Sequence, residues 1–118
     1  MPNLASRIIT SLAFGFCLIL AFAAGAEPIS TSSIEQGRTL AKELCQACHE
    51  FAGADQAGTV APPFITMKQR YPKRDRLRAI IYDAQKALKP HTMMPPFGRH
   101  GLVDKEQTEQ LINFLYSL

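Results

Sequence analysis

Cys45-Gln46-Ala47-Cys48-His49 closes an amphipathic segment, and its reading decides the fold. Two thiols separated by two residues at a helix end lie close enough to add to the two vinyl groups of one porphyrin. The next residue, His49, then falls beneath the iron and offers an imidazole nitrogen. The run reads as the attachment signature for one haem c, with Cys45 and Cys48 as thioether anchors and His49 as proximal ligand. Two other chemistries use such cysteines. A zinc site needs a second ligand pair at suitable spacing, and adjacent Cys48 and His49 do not easily join one tetrahedral metal with Cys45. A dithiol oxidoreductase needs a βαβ context, and no strand pattern of comparable strength occurs here.

Upstream of the cysteines, Ser32 is placed to cap a helix, with Glu35 completing a capping box. Ile34, Gly37, Leu40, Ala41 and Leu44 then share one face at helical spacing. Downstream, a polar, Gly/Ala-rich loop runs from Glu50 to Val60 into Ala61-Pro62-Pro63-Phe64, where two prolines forbid regular structure. A second helix is predicted from about Asp75 to Leu88, because Leu77, Ile80, Ile81, Ala84 and Leu88 repeat at three- and four-residue steps. Another irregular stretch, Lys89 to Val103, holds His91, Met93, Met94, Pro95, Pro96, Gly98 and Gly101. A last helix starts at Asp104, with Gln107 as its box partner and Leu111, Ile112, Leu115 and Leu118 as its apolar stripe. The expected architecture is all-α, a single domain wrapped around one cofactor. Loops this long in so small a domain carry function or enclose something.

His49 needs an acceptor for its other ring nitrogen, since that partner sets the tautomer and orients the ring. The carbonyl of Pro62 is a natural candidate; equally, Pro62-Pro63 could serve only as a stiff turn. For the sixth iron position the second irregular stretch offers Met93, Met94, His91 and His100. A thioether raises the reduction potential relative to a second imidazole, which suits an electron acceptor. Met94 is the expected ligand, because Pro95-Pro96 directly after it holds an extended backbone; Met93 is its nearest rival. No catalytic acid or base is evident.

The chain of 118 residues has a formal net charge of +3, far from the excess of a nucleic-acid binder. Lys68, Arg70, Lys73, Arg74, Arg76 and Arg78 form a dense basic run, read either as a solvated face or as a docking surface for an acidic partner. At the N-terminus, Arg7 precedes an uncharged run from Ile8 to Ala26 that closes with Ala24-Gly25-Ala26 before a polar stretch. This pattern predicts a signal peptide over 1–26, cleaved after Ala26, leaving 27–118 as a periplasmic domain with no stable membrane insertion. An uncleaved transmembrane helix is the competing reading. Cys17 lacks the preceding small-residue box of a lipoprotein and is an apolar residue of the discarded segment.

Cys45–His49, Ala61-Pro62-Pro63-Phe64 and Met94-Pro95-Pro96-Phe97-Gly98 together resemble class I cytochrome c, over all of 27–118. The resemblance implies a covalent haem c, cofactor contacts from Pro62 and Phe64, and His49 and Met94 as iron ligands. It also implies that Gly37 is a helix-crossing glycine against which Phe114 packs. Ala61 stands where that family usually has glycine. More narrowly, Met94–His100, the final helix ending Phe114-Leu115-Tyr116, and Met67-Lys68-Gln69-Arg70-Tyr71-Pro72 are similar to the SoxX family, the small monohaem subunit of the sulfur-oxidation complex SoxAX. That likeness implies a heterodimer with a SoxA-like haem subunit, at which thiosulfate is joined to a cysteine of a SoxYZ-like carrier. The chain would then be the electron-transfer subunit of an L-cysteine S-thiosulfotransferase, passing electrons to a downstream cytochrome. The alternative is a free-standing electron shuttle.

Overall fold

The first helix begins earlier than its capping-box pattern predicts. In the computed structural model, which describes residues 28–118, α1 spans Thr31–Leu44 and is capped by Ser30, whose hydroxyl accepts from Ser33 N at 3.1 Å. Any of the consecutive hydroxyl residues here is chemically able to cap. A tertiary contact selects among them: Asn113 donates to Ser33 Oγ at 2.8 Å, which holds Ser33 inside the first turn. Glu35, expected as the box partner of Ser32, instead pairs with Arg38 at 3.4 Å. The expected leader over 1–26, Cys17 included, lies outside the described residues.

α1 buries Gly37 and Ala41 against the last helix, and Ile34, Leu40 and Leu44 pack onto the same core. The crossing is close because Gly37 has no side chain. A Cβ there would collide with the Gln110 carbonyl and lie 2.9 Å from Phe114 Cβ. Phe114 itself is fully buried.

After the two prolines the chain is more regular than the sequence pattern suggests. A 3₁₀ turn, Phe64–Thr66, starts directly behind Pro63, and α2 (Met67–Arg70) continues it. Thr66 holds the turn by donating from both its amide and its hydroxyl to the Pro63 carbonyl, at 3.1 and 2.8 Å. The prolines thus end the loop without preventing the helix that follows, since Pro at a helix entry gives up only a donor that has no partner anyway.

The single helix expected from Asp75 to Leu88 is two. α3 (Arg74–Tyr82) ends at Asp83, whose backbone turns out of helical geometry at φ −150°, and α4 (Ala84–Ala87) starts there with the Asp83 carboxylate accepting from Lys86 N at 3.2 Å. The apolar period runs through this break because both helices face one core: Leu77, Ile80, Ile81 and Ala84 are all buried. α5 (Lys105–Ser117) carries the capping box of Asp104 and Gln107, with bonds of 2.8 and 2.9 Å, and buries Leu111, Ile112, Phe114 and Leu115. The result is an all-α single domain with no strand among the described residues, and no described helix is long and apolar enough to cross a membrane.

Candidate cofactor site

α1 delivers the chain directly into the cysteine pair through a hydrogen-bonded turn. Cys45 N and Gln46 N both donate to Ala41 O, at 2.9 and 3.0 Å, and Cys48 N and His49 N both donate to Cys45 O, at 3.1 and 2.9 Å. Two residues of separation therefore become one tight turn, which puts Cys45, Cys48 and His49 on the wall of a single cavity. The following loop folds back to hold that turn. Ala61 N donates to Cys48 O at 3.0 Å, Phe64 N to Glu50 O at 2.9 Å, and Asp55 N to Gln46 Oε1 at 2.8 Å, while Lys42 pairs with Asp55 at 2.9 Å.

His49 Nδ1 lies 2.7 Å from the Pro62 carbonyl. A carbonyl only accepts, so Nδ1 carries the proton and Nε2 keeps its lone pair for a metal. Burial pushes the imidazole below its ordinary value, and the bond to Pro62 opposes that shift only in part, so the environment favours the neutral ring. Phe64 sits behind the imidazole with ring centroids 4.8 Å apart, and Phe51 stacks on Phe64 at 5.0 Å. Phe114 closes the aromatic series edge-on to Phe51 at 5.5 Å. One chain of rings thus links the α1–α5 crossing to His49. Phe64 also lines the cavity.

A further part of the cavity wall comes from the second irregular stretch. His91, Met93 and Met94 line the cavity, whereas the exposed His100 does not. Met94 is half-buried against the core, while Met93 is 82 % exposed. Between these walls the cavity measures about 760 Å³ and is bounded largely by aliphatic and aromatic side chains, among them Met67, Leu77, Ile80, Ile81, Leu111 and Leu115. That volume lies within the roughly 300–1,000 Å³ of cofactor clefts.

Burial pushes the Cys45 thiol up to about 12, with the neighbouring Cys48 adding to the effect. Dithiol oxidoreductases work through a cysteine whose pKa is lowered, so the environment of Cys45 argues against that chemistry. Among the described residues no group of three or more His, Cys, Asp or Glu side chains could hold a metal ion, and a zinc site has no support. What the residues do fit is an apolar macrocycle: Cys45 and Cys48, both free thiols on the cavity wall, would anchor it, and His49 would offer its unprotonated Nε2 to a metal.

Sequence reasoning missed two features of this site. Gly58 is buried against the attachment turn, where a Cβ would lie 2.5 Å from the Cys48 carbonyl carbon and 2.6 Å from His49 N. A lone glycine in a Gly/Ala-rich loop gives no sign of that. Met67 and Tyr71 line the cavity from the unforeseen α2 segment; the apolar residues just after the proline pair were the available clue. The basic run also divides. Arg74 and Arg78 turn inward to Glu109, Arg76 donates to Ala87 O, and Lys68 to Tyr116 O, while Arg70 and Lys73 stay exposed.

The family model for cytochrome c matches residues 34–118. Neither the curated proteins nor the solved structures hold a significant match to the chain. The match covers α1 from Ile34 onward, the attachment turn, both irregular stretches and α5, so the chain belongs to the cytochrome c family and binds haem c covalently.

Proposed function

We propose that the protein is an exported one-electron carrier whose single haem is anchored by Cys45 and Cys48 with His49 and Met94 as axial ligands, and that it works as a SoxX-type subunit of a SoxAX pair. The observation that carries the reading is the 2.7 Å contact of His49 Nδ1 with Pro62 O, which leaves Nε2 unprotonated in a cavity that the half-buried Met94 also lines. When bound, the haem supplies a one-electron couple at iron. The chain's own residues hold the surroundings of that couple constant. Pro62 fixes the proton of His49, Phe64 and Phe51 brace the ring, and the aliphatic walls exclude water, which favours the less charged state. Val60, Leu88 and Met93 both line the cavity and are exposed, so its rim is apolar where a redox partner approaches.

The finer assignment is supported by the likeness of Met67–Pro72 and Met94–His100 to SoxX. Under it, residues 1–26 export the chain to the periplasm and are removed, leaving 27–118. A SoxA-like haem subunit is the heterodimer partner. The reacting thiosulfate sulfur and the SoxYZ-like carrier cysteine meet on that partner, and a downstream cytochrome takes the electrons. Production in cells competent for cytochrome maturation tests the reading. The purified chain should have the mass of 27–118 plus one haem, co-elute with a larger haem subunit, and be reduced when thiosulfate and carrier are supplied. A lone haem protein that thiosulfate never reduces would instead be a free-standing shuttle.

A further inference from the structure

The second irregular stretch is tied to the end of α3 at one point. Gly98 N donates to Ile81 O at 3.2 Å and Arg99 N to Tyr82 O at 2.9 Å, so the loop takes up carbonyls that the helix end leaves without partners. The approach is tight, since a Cβ on Gly98 would lie 2.9 Å from Tyr82 Cα. Beside these bonds Arg99 Nε pairs with Asp83 Oδ2 at 3.2 Å, and Arg99 Nη2 donates to Gln85 Oε1 at 3.1 Å. Asp83 is the one buried charged residue among those described, its side chain only 10 % exposed. A buried carboxylate is a costly way to cap a helix, because it carries a desolvation penalty that an uncharged Ser, Thr or Asn cap avoids. Its position points to a more specific use. Between Arg99 and Met94 the chain runs through the buried Pro96 and Phe97, and Phe97 O accepts from Leu102 N at 2.8 Å, so hydrogen bonds within the segment close it on itself.

We propose that Asp83 and Arg99 are positioning residues for the sixth ligand: their ion pair latches the closed segment 95–103 to α3 and thereby holds the Met94 sulfur in the cavity. The inference rests on Met94 being that ligand. A latch sets how often the segment lifts, and an external ligand binds only the lifted state, so its apparent affinity reports the latch directly.

The test uses holoprotein, imidazole as probe, and the far-red sulfur-to-iron charge-transfer band of the oxidised form. Arg99→Gln should weaken the band and tighten imidazole binding about tenfold, the equivalent of roughly 1.4 kcal/mol. Arg99→Lys, which keeps the charge, should restore much of both. Asp83→Asn keeps an acceptor for Lys86 N and should repeat the Arg99→Gln effect with α4 intact. Arg74→Gln breaks a different tie, to Glu109 on α5, and should lower Tm while leaving band and imidazole affinity unchanged. The latch is overturned if Arg99→Gln and Asp83→Asn match the wild type in both readouts, or if Arg74→Gln shifts them equally. A wild-type protein without the band would refute the Met94 assignment itself, and the latch with it.

Discussion

Pro62 has no N–H to give, and its carbonyl leaves His49 a single useful tautomer. That dependence of one atom on another was half legible beforehand, because an imidazole ligand needs an acceptor but the prolines alone do not say whether they provide it. Elsewhere on the cavity wall, sequence leaves Met93 and Met94 adjacent and chemically identical. Only packing separates them, one 82 % exposed and the other half-buried. Met94→Ala should abolish the far-red band, lower the reduction potential, open the iron to imidazole and cost about 1–2 kcal/mol of stability, less than a fully buried methionine would. Met93→Ala should leave potential and band unchanged; spectroelectrochemistry of the two variants checks the pair, and the reverse pattern would move the assignment by one residue. Gly58 marks the limit of legibility at this scale, since what its missing Cβ would strike depends on where the loop goes.

Among the elements, α1 and α5 were readable because their stripes and the Asp104 capping box are local patterns. Their crossing depends on Gly37, and Gly37→Ala should overpack it by about 3 kcal/mol, lowering Tm by roughly 15 °C in a thermal melt. The clasp between α3 and α5 was not readable, because a run of cations looks the same whether it faces solvent or a carboxylate. Glu109 receives Arg74 at 3.2 Å and also Arg78, and these partners hold its carboxyl below the ordinary value of 4.5. A depressed folded-state pKa contributes stability that is present above the unfolded value and lost as pH falls through the folded one. The clasp is part-exposed, so screening keeps its worth at or below about 1 kcal/mol. Wild type should accordingly lose its Tm advantage over Glu109→Gln as pH drops from neutrality to below 4.5, and thermal melts of both proteins across that range measure it.

In the whole molecule the cofactor cavity and the hydrophobic core share their walls: Leu77, Ile80, Ile81, Leu111 and Leu115 belong to both. A domain this small has little core to spare, so the haem completes it. A Cys45→Ser/Cys48→Ser variant purified without haem should keep much of its helical far-UV signal, lose near-UV structure, bind a hydrophobic dye and melt without a sharp transition. A cooperative melt with intact near-UV dichroism would show that the helices pack without it. Read alone, the amino-acid sequence determined the class of cofactor, the all-α class and the faces of α1 and α5. Each of these follows from residue type and spacing within a turn or two of chain. Tertiary structure decided where α1 starts, why the second helix breaks at Asp83, which cations turn inward and which methionine lies against the core. Several of those outcomes depend on partners far away in the chain, such as Asn113 for Ser33, 80 residues on, and Glu109 for Arg78, 31 residues on, and burial and hydrogen bonding at that range leave no period in the sequence.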